Sequence, residues 1–152
     1  MLFASLLAFL HHVAAFALVA VLTVQLVLIR QELTAGTARR LQIFDAVYGA
    51  SAGIVLVAGL LRVFYFEKGA SYYFHSLPFI AKLSLFVAVG LLSIYPTVQF
   101  RSWKKAFNGG SGGNVPPGTV NVVRKIIHWQ LAGVLLILLC AALMARGIGS
   151  FA

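Results

Sequence analysis

Asp45, Arg62, Glu67, Lys68, His75 and Lys82 fall within and between two runs of residues that are otherwise as apolar as lipid. An ionisable side chain at bilayer depth costs a few kcal/mol even on lenient insertion scales, so several of them in the one stretch 45–86 mark a site rather than filler. Histidines join them from elsewhere in the chain. His11 and His12 lie early in the first apolar run and His128 early in the last. Imidazoles ligate metals or shuttle protons, cations pair with carboxylates or phosphates, and a carboxylate that holds a ring N–H fixes the histidine tautomer.

On a helix, neighbouring positions differ by about 100°, so only one of His11 and His12 faces a bundle interior. His11 shares a face with Leu18, Leu22 and Gln25; His12 shares one with Ala15, Val19 and Thr23, whose smaller side chains leave room for a bulky guest. That favours His12 as a metal ligand with His11 as the second choice, and the competing reading is a neutral imidazole hydrogen-bonded across helices. Arg62 and Lys82 collect at the depth His12 approaches. Apolar walls, one imidazole and these cations suit a flat, anionic molecule, although both cations can also snorkel to the interface. Asp45 and His128 fall at similar depth near the opposite side, where they read either as a proton-relay pair or as a plain structural contact. Gly49 and Gly53 form a G-x-x-x-G with Ala50, Ser51, Ala52 and Ala58 around it, a face for close helix packing within the bundle or between copies.

The elements that position these residues are membrane helices. The 152 residues are 61% hydrophobic and 10% charged, against about a quarter charged in soluble domains. Four apolar runs, at about 2–29, 41–66, 78–100 and 121–145, each reach the ~20 residues that cross a hydrocarbon core, and only helices and closed barrels satisfy every backbone group there. The expected fold is all-α, a single integral-membrane four-helix domain. No Lys or Arg precedes Arg30, unlike a secretory signal peptide, so the first run is expected to stay. Pro78 suits a helix start. Residues 101–120, with Gly109, Gly110, Ser111, Gly112, Gly113, Pro116 and Pro117, read as a surface linker.

The net charge of +9 comes from basic residues at the ends of apolar runs, which points to anionic headgroups rather than nucleic acid. Arg30, Arg39, Arg40, Arg101, Lys104, Lys105, Arg124 and Lys125 lie on one side, against Arg62, Lys68, Lys82 and Arg146 on the other. The positive-inside rule then places both termini outside, which is the periplasm for a bacterial inner membrane. Tyr65, Phe66, Tyr72, Tyr73, Phe74 and Phe79 form an expected aromatic belt at the outer interface, with Trp103 and Trp129 at the inner one. Cys140 is single and makes no intramolecular disulfide. Walker, G-x-G-x-x-G, H-E-x-x-H and paired CxxC motifs are absent from the sequence.

Arg39-Arg40-Leu41, Asp45-Ala46-Val47-Tyr48-Gly49, the run Gly59 to Gly69, Tyr72-Tyr73 and Ser93-Ile94-Tyr95-Pro96-Thr97 resemble a bacterial family of predicted four-helix membrane proteins of unknown function. The order of an early first-helix histidine, an Arg-Leu opening the second helix and Ala81-Lys82-Leu83 opening the third also looks like HemJ-type protoporphyrinogen oxidases, which bind haem b. That second resemblance implies haem contacts at His12 or His11 and at Lys82. It has no counterpart for the run from Arg62 to Lys68.

Three functional readings follow. The first is a haem-b redox protein that passes electrons between a small donor such as a porphyrinogen and the quinone pool. His12 would be the axial ligand, Lys82 a second ligand or, with Arg62, a propionate partner, and Asp45 and His128 would move protons. The second is a small transport or channel component that oligomerises through the Gly49 and Gly53 face. The third is an accessory subunit of a larger membrane complex.

Overall fold

The computed structural model describes residues 2–66, 77–110 and 113–146, with the side chain of Phe66 left aside. Glu67, Lys68, Tyr72, Tyr73, Phe74 and His75, all singled out above, lie outside the described residues, as do Ser111 and Gly112. Four helices follow one another: α1 (Leu2–Leu28), α2 (Ala35–Leu61), α3 (Leu77–Asn108) and α4 (Pro117–Ala145). A π-helical turn, Arg62–Phe66, continues α2. No strand occurs among the described residues. All four helices are long and apolar enough to cross a membrane; the shortest, at 27 residues, rises about 40 Å against a hydrocarbon core of about 30 Å.

The helices outrun the apolar stretches that announce them. α2 opens at Ala35 rather than 41, because Thr34 caps it: the Thr37 amide donates to Thr34 Oγ1 at 3.2 Å, and the Thr37 hydroxyl donates to the Glu32 carbonyl at 3.1 Å. α3 continues through Arg101, Lys104 and Lys105 to Asn108. Hydropathy marks the part of a helix that sits in hydrocarbon, whereas Arg and Lys are good helix formers and carry the rod on into the headgroup layer. α4 starts at Pro117, where the missing N–H of the first helical position costs nothing.

α1 packs along α2 and α3 along α4, with thinner contacts from α2 to α3 and from α1 to α4 closing an up-and-down bundle. Four crossings leave both termini at one end, here the terminal end, and the α1–α2 and α3–α4 connections at the other, the loop end. In each helix only 17–22% of the most apolar window is buried, so most of the apolar surface faces outward, as a lipid solvent requires. The most completely buried side chains, Leu22, Leu41, Phe100, Val123 and Ile127, come from all four helices near the loop end. Trp103 belongs to this core: it is 3% exposed and packs edge-on against Phe100 at 5.5 Å. It is therefore not an interfacial anchor, whereas Trp129, 71% exposed, is free to be one.

Candidate functional site

The contacts between α2 and α3 leave part of their seam open. A cleft of about 350 Å³ runs there, with α4 as its back wall through Val134, Ile137, Leu138 and Ala141. Its width comes from the small residues Gly49, Ala52, Gly59 and Gly90 in its lining. A Cβ placed on Gly49 or Gly90 would meet nothing within 4 Å, and the same holds for Gly53. The glycine pair expected to pack closely against a helix thus meets none at that distance among the described residues. Close packing occurs instead at Gly133 of α4, where a Cβ would lie 2.5 Å from Val89 Cγ2.

His11 stands at the terminal end of the cleft. Its Nδ1 lies 3.0 Å from the Val55 carbonyl of α2, and its ring rests on Gly59, close enough that a Cβ there would come within 3.2 Å of Cε1. A carbonyl oxygen only accepts, so Nδ1 is the donor and the neutral imidazole carries its lone pair on Nε2. A backbone carbonyl that fixes one ring nitrogen and leaves the other basic is the arrangement that metal-binding histidines use. His12 is placed differently from the reading above. It is exposed, its Nδ1 donates to its own helix at the Ala8 carbonyl at 2.6 Å, and it does not line the cleft. Small neighbours on one face were the signal for His12, yet the helix turns toward α2 on the side of Leu18 and Leu22, and His11 goes with them.

Two cations attend this end. Lys82 lines the cleft, with Nζ 5.3 Å from the centroid of the Phe79 ring, a cation–π distance. Arg62 opens the π-helical turn, and both cations lie within Coulombic range of His11. Single π-helical turns in α-helices occur frequently at functional sites. Val63, Phe79 and Met144 form a small apolar cluster beside them.

The opposite end of the cleft is also polar. Asp45 sits there with Ser93, Thr97 and Arg101. The Thr97 hydroxyl lies 3.0 Å from Asp45 Oδ1 and 2.9 Å from the Ser93 carbonyl. Tyr48, a turn along α2 from Asp45, hydrogen-bonds the Gln130 side chain of α4. His128 takes no part: it is exposed, and its Nδ1 donates to the Arg124 carbonyl of its own helix at 2.8 Å. Asp45 and His128 are therefore not brought together. From Asp45 to Gly59 the α2 backbone rises about 20 Å at 1.5 Å per residue, so the two polar ends are far apart with apolar walls between them.

Sequence reasoning missed Val55, Gly59, Ser93, Thr97 and Arg101. The first acts through its backbone carbonyl, which no side-chain pattern reveals. Thr97 had one signal: it follows Pro96, and a hydroxyl beside a proline in a membrane helix commonly re-satisfies the backbone that the proline disturbs. Among the described residues no group of three or more His, Cys, Asp or Glu could hold a metal ion.

No curated protein and no solved structure matches the chain. The family described as predicted membrane protein (DUF2214) matches residues 3–149, nearly the whole chain. Four apolar helices with no strand among the described residues agree with that description, and this chain is a member of that family of predicted membrane proteins.

Proposed function

We propose that this protein is a small membrane redox protein that holds haem b in the α2–α3 cleft, with His11 as the iron ligand and Lys82 and Arg62 towards the carboxylates. The observation that carries this reading is the His11 ring, clamped by the Val55 carbonyl with its basic nitrogen free to ligate, in a cleft otherwise lined mostly by apolar side chains. The lining offers one axial nitrogen and the Lys82 ammonium, with Arg62 on the adjoining π-helical turn. A volume of about 350 Å³, within the usual range for ligand sites and with open space over Gly49 and Gly90, admits a guest from the bilayer side. Haem, when bound, supplies one-electron chemistry that these side chains lack. The chain's own contribution is to orient the ligand ring, exclude water and compensate negative charge. A cleft open to lipid also suits exchange with lipid-soluble partners such as a quinone. The reading retains the bacterial inner membrane, with the His11 end outside.

The experiment is an absorption spectrum of the purified protein, oxidised and dithionite-reduced. The expected result is a Soret band that is lost in His11→Ala and kept in His12→Ala. A colourless, folded preparation that takes up no added haem would overturn the reading, as would loss of the band in His12→Ala alone.

A transport role is favoured by a different observation: the cleft has polar groups at both ends, Lys82 at one and Arg101 at the other. Ion flux through haem-free proteoliposomes would support it. A second copy seated on Gly49 and Gly53 would cover part of the same cleft, so on either reading cleft occupancy and self-association compete.

A further inference from the structure

One hydroxyl proton at Thr97 faces two acceptors, the Ser93 carbonyl at 2.9 Å and Asp45 Oδ1 at 3.0 Å. Both contacts are full hydrogen bonds only when Asp45 brings a proton of its own: Thr97 donates back to Ser93, the usual habit of a threonine in a helix, and the Asp45 carboxyl donates to Thr97 Oγ1. The surroundings agree with this count. Asp45 has no cation within ion-pair distance among the described residues, and it is partly buried in the lining of a largely apolar cleft, about one turn beyond Leu41, where the apolar run of α2 begins. A bare carboxylate there costs several kcal/mol more than the neutral acid.

We propose that Asp45 is a proton-carrying carboxylic acid shared with Thr97, and that it makes the loop end of the cleft a proton-binding site. The ligand class is the proton itself, so a molecule in the cleft that accepts or releases one finds its partner at this carboxyl. The groups that face Asp45 are few. Thr97 and Arg101 come from α3 and Tyr48 from its own helix, while the α4 residues in the lining, Val134, Ile137, Leu138 and Ala141, are apolar and the α1 histidine in the lining stands at the far end. His128, a relay partner on sequence grounds, turns away, so the proton is held between α2 and α3 rather than between α2 and α4. Pro96 precedes Thr97 and removes one backbone hydrogen bond from α3 beside the shared proton. The site follows from the cleft geometry and does not depend on haem.

The test is infrared spectroscopy of the haem-free protein in lipid nanodiscs near neutral pH. Only three side chains in the sequence are acidic, Glu32, Asp45 and Glu67, which makes the assignment tractable. The expected result is a protonated-acid carbonyl band that disappears in Asp45→Asn, shifts in Thr97→Val and stays in place in Thr97→Ser. Asn is the neutral isostere of the protonated acid and keeps the contact to Thr97, so Asp45→Asn should also fold as the wild type does. The idea is overturned if the wild type lacks an acid band, if the band survives Asp45→Asn, or if Thr97→Val leaves it unmoved. A protein that shows the band yet takes up no added haem would retire the haem reading and leave the proton site standing.

Discussion

The same four helices are packed in two ways. Near the loop end, Leu22, Leu41, Phe100, Val123 and Ile127 meet with almost no exposed surface, and Trp103 closes against Phe100. Along the α2–α3 seam, glycines face open space, apolar side chains line a cleft, and His11, Lys82, Asp45 and Arg101 reach into it. In a bilayer the two helices of a seam gain little from excluding lipid, since lipid tails are as apolar as leucine, so close packing and interhelical hydrogen bonds hold them together. The loop end has that close packing and the seam lacks it, which lets the seam take a guest without first being pried open.

The largest expected effect tests this division directly. Phe100→Ala removes a fully buried ring and should cost about 3–5 kcal/mol, whereas Phe86→Ala in the cleft lining should cost about 1 kcal/mol or less, as read by denaturant titration in detergent. Equal losses would mean that the seam is as well packed as the core. A second pair sharpens the point with glycines. Gly133→Ala drives a methyl into Val89 and should destabilise by about 1–3 kcal/mol, while Gly49→Ala, with open space around it, should leave the melting temperature unchanged or raise it slightly. Gly49→Leu carries this further: stability should persist while binding in the cleft is lost. Outside the bilayer, Thr34→Ala removes the α2 cap and should cost about 1 kcal/mol, measured in the same titration.

The smallest effect concerns buried amides. Gln25 and Gln130 are each 2% exposed, and Gln25 Nε2 and Gln130 Oε1 have no hydrogen-bond partner among the described residues. Gln25→Leu should therefore stabilise, by up to about 1 kcal/mol. A loss would show that an ordered water satisfies the amide. Gln130→Leu is a harsher change, because it also strips Tyr48 of its hydrogen bond.

Class and architecture were legible without coordinates. Four runs longer than a hydrocarbon core is thick, separated by basic and glycine-rich connections, leave little choice but a helical bundle, because unpaired backbone is intolerable in lipid. The concentration of chemistry around residues 45–86 was legible too, since an ionisable group in such a run is costly wherever it points. The structure alone decided facing. His11 and His12 are adjacent and chemically identical, and neighbour size favoured the second; the packing of α1 against α2 put the first over Gly59 and within reach of the Val55 carbonyl. Asp45 could pair with His128 by depth, yet helix rotation gave it Thr97. Gly49 and Gly53 advertise a helix contact, but which backbone comes near depends on all four helices at once. Depth along a membrane helix is set by counting residues from a charged end, and one chain contains that count. Azimuth is set by the sum of many weak side-chain contacts across neighbours, and that sum exists only once the bundle has formed.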